Sequence, residues 1–421
     1  MNSAEKRLIE ATMNEHRRSQ IRTMFNQMKQ YNVIVSGIDG RKVEVEKGHW
    51  VVDFASCNYL GLDLDSETSN DIDKEIKNWG VHPSWCRLVA SPGIYDALER
   101  ELAELIGTET TLIIPTVTLI SISVLPALVG KNGVLILDKS GHETMYEGAK
   151  IARDSGATLE SFRQDDFETL ETMLKKHKDN PRKVIMVDGV YSMSGDFARI
   201  PELVSLAKKY DAILYIDDAH GFGIVGENPT SDMPYGFNGN GIVKYYGLDY
   251  ENIIYVGGCS KAYSSMAAFV GCSHEMKTFL QAFATTYDLS GPCPTASLST
   301  LANGLKINKA RGDQYRKRLW ELTNRTIKGL RALGYTVFNK SGFPIVYALI
   351  GDNDALIDSA NMLYEKGILV TVSPYPMVIR GEEGHRITLT AANTHEEVDQ
   401  LLAAFSDVKD CLTEKRFLKT K

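Results

Sequence analysis

Paired or clustered cysteines are missing from this sequence. Its six cysteines, Cys57, Cys86, Cys259, Cys272, Cys293 and Cys411, are scattered without CxxC spacing, which excludes a structural zinc framework and the disulfide lattice of a small secreted domain. They read as reduced thiols of a cytoplasmic protein, and no metal is indicated. An excess of positive charge is missing too. The 47 Lys and Arg stand against 54 Asp and Glu, a formal net charge of -7 with both signs interspersed. A phosphate-backbone binder would carry a basic stripe, so nucleic acid is not an expected partner.

Long uninterrupted apolar runs are also lacking. The opening MNSAEKRLIEATMNEHRRSQIRTMF is charged and has no apolar core of the kind a secretory signal requires. Its amphipathic pattern predicts an arm that packs on the body of the protein or on a second subunit. The most apolar stretch, Thr111 to Gly130, approaches membrane-spanning length but holds two prolines and five Ser or Thr. It predicts a buried strand, a turn and a helix, and no membrane span. Neither internal repeats nor low-complexity linkers are found.

What the chain has is size and alternation. Its 421 residues, 43% of them hydrophobic, suffice for a large core and suggest two or three domains. Short β-rich runs alternate with segments of helical period, the pattern of crossover helices joining parallel strands. Val134–Leu137, Val184–Val187, Ile213–Ile216 and Ile253–Val256 are near-continuous apolar runs suited to burial on both faces. Helical spacing covers Glu168–His177 and Pro201–Lys209, with Pro201 at the first helical position, where no N–H is needed. From about Thr295 the texture changes to a long charged helical pattern, followed by strands around Pro344–Leu349 and Arg386–Thr390. The expected architecture is α/β, with a mostly parallel central sheet and a smaller C-terminal α+β domain. The expected divisions are an N-terminal arm over 1–60, a large domain over 61–295 and a small domain over 296–421.

In open α/β sheets ligands collect at the carboxyl ends of parallel strands. Four of the apolar runs deliver polar residues there: His142, then Asp188 and Ser192, then Asp217 and His220, then Lys261. A lysine just beyond a buried strand can form an imine when its surroundings supply the neutral amine. Pyridoxal phosphate needs such a lysine, and it needs an acid at its ring nitrogen to make the ring an electron sink. Asp217 ends its own strand and suits that role. Asp218 is its rival, because a step of one residue along a strand turns a side chain to the opposite face. Taken singly, each of these residues has a plainer reading: a solvated lysine, satisfied structural histidines, a serine in a turn.

Taken together they resemble a known family. The segment DGVYSMSGDFARIPELVSLAKKYDAILYIDDAHGFGIVGE followed by GGCSKA is similar to the core signature of the α-oxoamine synthases, which are fold-type-I pyridoxal-phosphate enzymes. NYLGLD near Asn58, RLVAS, DALERELAELIGTE and HRITLTAANTHEEVDQLL extend the resemblance, in order, from about residue 50 to 405. The resemblance implies that Lys261 carries pyridoxal 5'-phosphate, that Asp217 partners the pyridine nitrogen, and that His142 stacks on the ring. It also implies that His220 and Ser192 lie near the phenolic oxygen. Arg386 corresponds to the arginine that pairs with the amino-acid carboxylate, a role its bidentate fork suits. Asn58 falls in a substrate-side motif.

The departures are specific. Where the family has a serine-glycine-aromatic turn for the cofactor phosphate, this chain has Thr116-Val117-Thr118, and valine is a poor substitute for glycine in a close backbone nest. The hydroxyls of Thr116 and Thr118 and the following helix N-terminus remain to hold the phosphate. Gly258 stands where several relatives carry threonine, and Ser260 precedes Lys261. Ser290 is retained in YDLSGPCPTA, a segment that reaches the neighbouring subunit's phosphate in relatives and so implies a homodimer with composite sites. HPSWCRL replaces a glycine-rich approach with Trp85 and Cys86, Tyr95 stands where histidine is common, and Asn393 replaces the histidine of AAHT.

The implied reaction joins a small L-amino acid (glycine, alanine or serine) to an acyl thioester of coenzyme A or acyl carrier protein, normally with loss of carbon dioxide. Lys261 acts as the base. The alternatives are another fold-type-I enzyme such as an aminotransferase, a catalytically degenerate subunit, or a plain thioester-binding module.

Overall fold

The computed structural model describes residues 3–15 and 18–419. It divides into two compact units, one formed by Asn58–Arg318 and the other by Met1–Cys57 together with Leu319–Lys421. The second division falls inside the long helix Thr295–Ala332.

The larger unit is built on a seven-stranded sheet. In chain order its strands are β4 (Thr110–Ile114), β5 (Val134–Asp138), β6 (Thr158–Phe162), β7 (Lys183–Asp188), β8 (Ile213–Asp217), β9 (Ile253–Gly258) and β10 (Ala268–Cys272), following β1–β3 of the smaller unit. Their spatial order is β4-β10-β9-β8-β7-β5-β6. β10 runs antiparallel to both neighbours, and every other pairing is parallel. All four expected strands form, each extended by one or two residues. β5, β7 and β9 are buried at every position, as continuous apolar runs predict for strands covered on both faces. β6, at the edge, is partly exposed.

The apolar stretch from Thr111 forms the expected strand, turn and helix: β4, then the helix Val117–Val129. That helix packs against the helix Glu143–Asp154, and the two approach almost backbone to backbone. A Cβ added to Gly148 would lie 2.2 Å from the Ser121 carbonyl oxygen. Below them Leu112, Val124, Leu135, Met186 and Val256 share one core. The expected helices form at Phe167–Lys176, capped by Asp166, and at Ile200–Lys209, where Pro201 sits in the first turn.

The smaller unit holds a six-stranded sheet. β1 (Gly37–Asp39), β2 (Lys42–Glu46) and β3 (His49–Phe54) come from the N-terminal segment, and β11 (Ile345–Leu349), β12 (Ile368–Ser373) and β13 (Gly384–Thr388) from the C-terminal one. Their order is β1-β2-β3-β12-β13-β11, with β3 parallel to β12. The segment expected as an arm over 1–60 therefore supplies half of this sheet. The hydrophobic pattern could not reveal this, because β3 meets its partner more than 300 residues away. Of the amphipathic opening, residues 1, 2, 16 and 17 lie outside the described residues. The rest forms helices Ser3–Glu15 and Arg18–Phe25. The segment just beyond them docks on the helix Asn353–Glu365, where Asn361 Oδ1 accepts from the Lys29 N–H at 2.7 Å and Asn361 Nδ2 donates to the Gln27 carbonyl at 3.0 Å. Among the described residues no helix is long and apolar enough to cross a membrane.

Candidate active site

The carboxyl ends of β5, β7, β8 and β9 surround a cavity of about 150 Å³ in the larger unit. Lys261 and Ser260 enter it from the turn after β9, Asp217 and His220 from β8, Asp188 from β7, and His142 from the segment after β5. Thr116, Val117 and Thr118 close the remaining side. Six residues drawn from four strand ends thus meet the first turn of a helix.

Each side chain is held for a physical reason. His142 is the N-cap of Glu143–Asp154: its Nδ1 accepts from the Thr144 N–H at 3.3 Å and lies 2.9 Å from Thr144 Oγ1. Its own N–H donates to Asp188 Oδ1 at 3.0 Å. His220 Nδ1 shares a 2.6 Å hydrogen bond with the hydroxyl of the fully buried Tyr59. Thr116 caps Val117–Val129, its Oγ1 accepting from the Leu119 N–H at 3.2 Å. Val117 is the first residue of that helix, and none of residues 116–118 has a positive φ. The backbone there needs no glycine, so the valine leaves the helix N-terminus available to an anion.

The choice between the two adjacent aspartates is decided by the pleat. Asp217 lines the cavity. Asp218 turns away, where its Oδ2 accepts from the Ile242 N–H and the Tyr255 hydroxyl, both at 2.8 Å. Burial raises the Asp218 carboxyl to about 7. Asp188 and Asp217 are register partners on β7 and β8. Burial, and then the charge of Asp217, push Asp188 well above the ordinary carboxylate range. Burial also raises Asp217, against the opposing charges of Lys261 and His142 and the Ala219 N–H. Two buried carboxyls at one end of the cavity, with a lysine and the first turn of a helix around it, match a ligand with a cationic ring at one end and an anion at the other. Pyridoxal phosphate is such a ligand, and these residues fit it.

Other expected residues lie elsewhere. Ser192 sits partly buried in the tight turn after β7, in which the Tyr191 N–H donates to the Asp196 carbonyl, and it does not line the cavity. Ser290 ends the helix Thr285–Leu289, its hydroxyl donating to the Gly291 carbonyl at 3.1 Å, away from the cavity lining. Asn58 spends its amide on Asp63 at 2.9 Å and on the Ser264 hydroxyl at 3.2 Å, and its carbonyl closes a turn on the Gly61 N–H. Within the larger unit it braces the loop that carries Lys261. Arg386 lies in the smaller unit, nearly buried on strand β13, with its Nη2 3.6 Å from Cys57 Sγ.

Two of the other departures, Tyr95 and Asn393, are packing residues. Tyr95 is buried, accepts the Cys293 N–H at 2.7 Å and carries the Arg87 guanidinium 3.8 Å from its ring centroid. Asn393 accepts from the Thr390 N–H and hydroxyl and donates to Glu397. Asp188, Thr144 and Tyr59 were given no role by the sequence reading. Asp188 had a signal, since it ends an apolar run in step with Asp217. Tyr59 had none beyond standing next to Asn58.

Residues 50–405 match the family model described as aminotransferase class I and II. The chain belongs to that family. Among its relatives are the 8-amino-7-oxononanoate synthases of Thermoanaerobacter pseudethanolicus, 31% identical over 86% of this chain and 88% of that one, and of Dechloromonas aromatica, 31% identical over 88% and 92%. Solved structures of the same fold include Sphingomonas wittichii serine palmitoyltransferase, with a TM-score of 0.84 at 23% identity over 93% of this chain and 96% of that one. An 8-amino-7-oxononanoate synthase from Francisella tularensis gives 0.72 at 21% identity over 87% and 99%. Within the class I and II family the chain is an α-oxoamine synthase, and the fold is that of the fold-type-I pyridoxal-phosphate enzymes.

Proposed function

We propose that this α-oxoamine synthase condenses a small L-amino acid with an acyl thioester in the cavity around Lys261, with pyridoxal 5'-phosphate as its cofactor. The observation that carries the reading is the convergence of Lys261, Asp217, His142 and His220 on one cavity beside the N-terminus of Val117–Val129.

When bound there, pyridoxal phosphate supplies an electron sink for a carbanion next to the amino-acid carboxylate. Asp217 would hold the ring nitrogen, His142 would cover the ring face, and His220, fixed by Tyr59, would face the phenolic oxygen. Thr116, Thr118, Ser260 and the free N–H groups of the helix would hold the phosphate. Lys261 serves as the covalent anchor and then as the base: its Nζ takes the α-proton from the amino acid and returns a proton to the product. Arg386 is assigned to the substrate carboxylate on the strength of the family motif, which its permanently charged fork suits.

A homodimer is part of the proposal. Segments 81–89 and 283–289 expose Val81, Trp85, Leu88, Val89, Phe283 and Leu289. They are tied together by the Cys86 thiol on Asp288 at 2.8 Å, and Ser290 follows directly. A surface this apolar is suited to a second copy of the chain. The six free cysteines favour a reducing, cytosolic location.

The test is absorbance of the purified protein with pyridoxal phosphate, for wild type and Lys261→Ala, followed by thiol release from acyl-coenzyme A with glycine, alanine or serine. The expected result is a visible band lost in the variant, shifted by one amino acid, and thiol release with that amino acid alone. A wild type without a band would refute the reading. Formation of pyridoxamine phosphate with a keto-acid product, and no thiol release, would make the protein an aminotransferase.

A further inference from the structure

Two departures that stand far apart in the sequence, Val117 and Gly258, meet behind the cavity wall, which Val117 lines and Gly258 backs. Gly258 ends β9, three residues before Lys261, and Val117 opens the helix whose first turn borders the cavity. A Cβ built on Gly258 would lie 3.1 Å from both the Cα and the Cβ of Ala219 and 3.3 Å from Val117 Cγ2. The backbone at Gly258 is not left-handed, so its conformation does not demand glycine. Space does. One neighbour is Ala219, whose Cα and Cβ can give by no more than a few tenths of an ångström. The other is a methyl group of a β-branched residue in a helix, where one χ1 rotamer dominates and rotation offers no escape. A residue with a side chain at 258 must therefore press on both Ala219 and Val117, each of which would have to give by a few tenths of an ångström, and removing the Val117 methyl frees one of the two contacts.

We propose that Val117 and Gly258 form a volume-coupled pair that sets the width of the phosphate end of the cavity. Val117 fills the space that a side chain on the end of β9 would otherwise occupy, and the phosphate-facing hydroxyls come from Thr116, Thr118 and Ser260 instead. The pair positions the cofactor's anionic end. This rests on reading the cavity as the pyridoxal-phosphate site.

The experiment is a double-mutant cycle on the cofactor-free protein with Val117→Gly, Gly258→Thr and the pair together. The Kd for pyridoxal phosphate and for pyridoxal, which lacks the phosphate, is read by absorbance titration. Gly258→Thr alone should raise the Kd for pyridoxal phosphate on the order of tenfold. It should leave that for pyridoxal nearly unchanged, and adding Val117→Gly should restore most of the lost affinity. Single effects that multiply in the double variant, or an equal loss for both ligands, would overturn the coupling. If the threonine variant does not fold, Gly258→Ser with Val117→Ala carries the same test. A wild type that binds neither ligand would refute the site itself, whereas binding with independent effects would refute the pair alone.

Discussion

Asp217 and Asp218 are adjacent in sequence, yet one lines the cavity and the other turns away from it, and the difference is one step of the β-pleat. Asp217→Asn keeps the shape but cannot hold a protonated ring nitrogen as a carboxylate does. Turnover is expected to fall on the order of 10²-fold or more, with the protein still folded, as steady-state kinetics and circular dichroism would check. Asp218→Asn should act on stability instead. The folded-state pKa of Asp218 is raised from 3.8 to about 7 by burial, so between about pH 4 and pH 7 the folded chain holds a proton that the unfolded chain has released. The contribution is complete below the unfolded value and is lost as pH rises through the folded one. Denaturant titrations of the cofactor-free protein across that range should show wild type losing more stability with rising pH than Asp218→Asn. Equal slopes would mean that Asp218 does not titrate there.

At the level of elements, the site depends on how closely two helices pack. Thr116 and His142 are the N-caps of Val117–Val129 and Glu143–Asp154 and both line the cavity, so the crossing of these helices fixes where the two residues stand in its wall. That crossing passes through Gly148, where an added Cβ would press on the Ser121 carbonyl at 2.2 Å. Gly148→Ala must push backbone against backbone and is expected to cost about 1–3 kcal/mol. Cofactor affinity should fall with it. Thermal unfolding and cofactor titration of the variant measure both, and an unchanged melting temperature would show that the helices separate freely. The alternation of apolar runs made this layer readable from sequence, because continuous burial leaves little choice of residue in β5, β7, β8 and β9.

At the scale of the whole molecule, the exposed apolar segments are the outstanding feature. Leu289 is 80% exposed and Val89 82% exposed, a poor arrangement for a monomer and a suitable one for a subunit interface. Leu289→Asp should shift the protein toward monomer in analytical ultracentrifugation. Activity should fall with it if Ser290 serves a neighbouring subunit's site. A monomeric wild type with full activity would remove the composite site from the account.

The residue types at the strand ends, their order and their spacing were determined by the sequence alone, and with them the family and the mostly parallel sheet. This legibility has a physical basis: a buried parallel strand is a continuous apolar run, and the polar residue that ends it stands out. Three things were decided only by tertiary structure. β1–β3 joined the C-terminal strands because β3 pairs with β12, a contact that no local pattern encodes. The hydrogen bond of Asn58 with Ser264 in the Lys261 loop, and that of its neighbour Tyr59 with His220, join residues more than 150 positions apart. Val117, unsuited to a glycine nest in sequence terms, proved to be an ordinary first-turn helical residue with room made for it at Gly258. In each case the outcome depends on what lies across space from the residue, and a sequence records only what lies beside it.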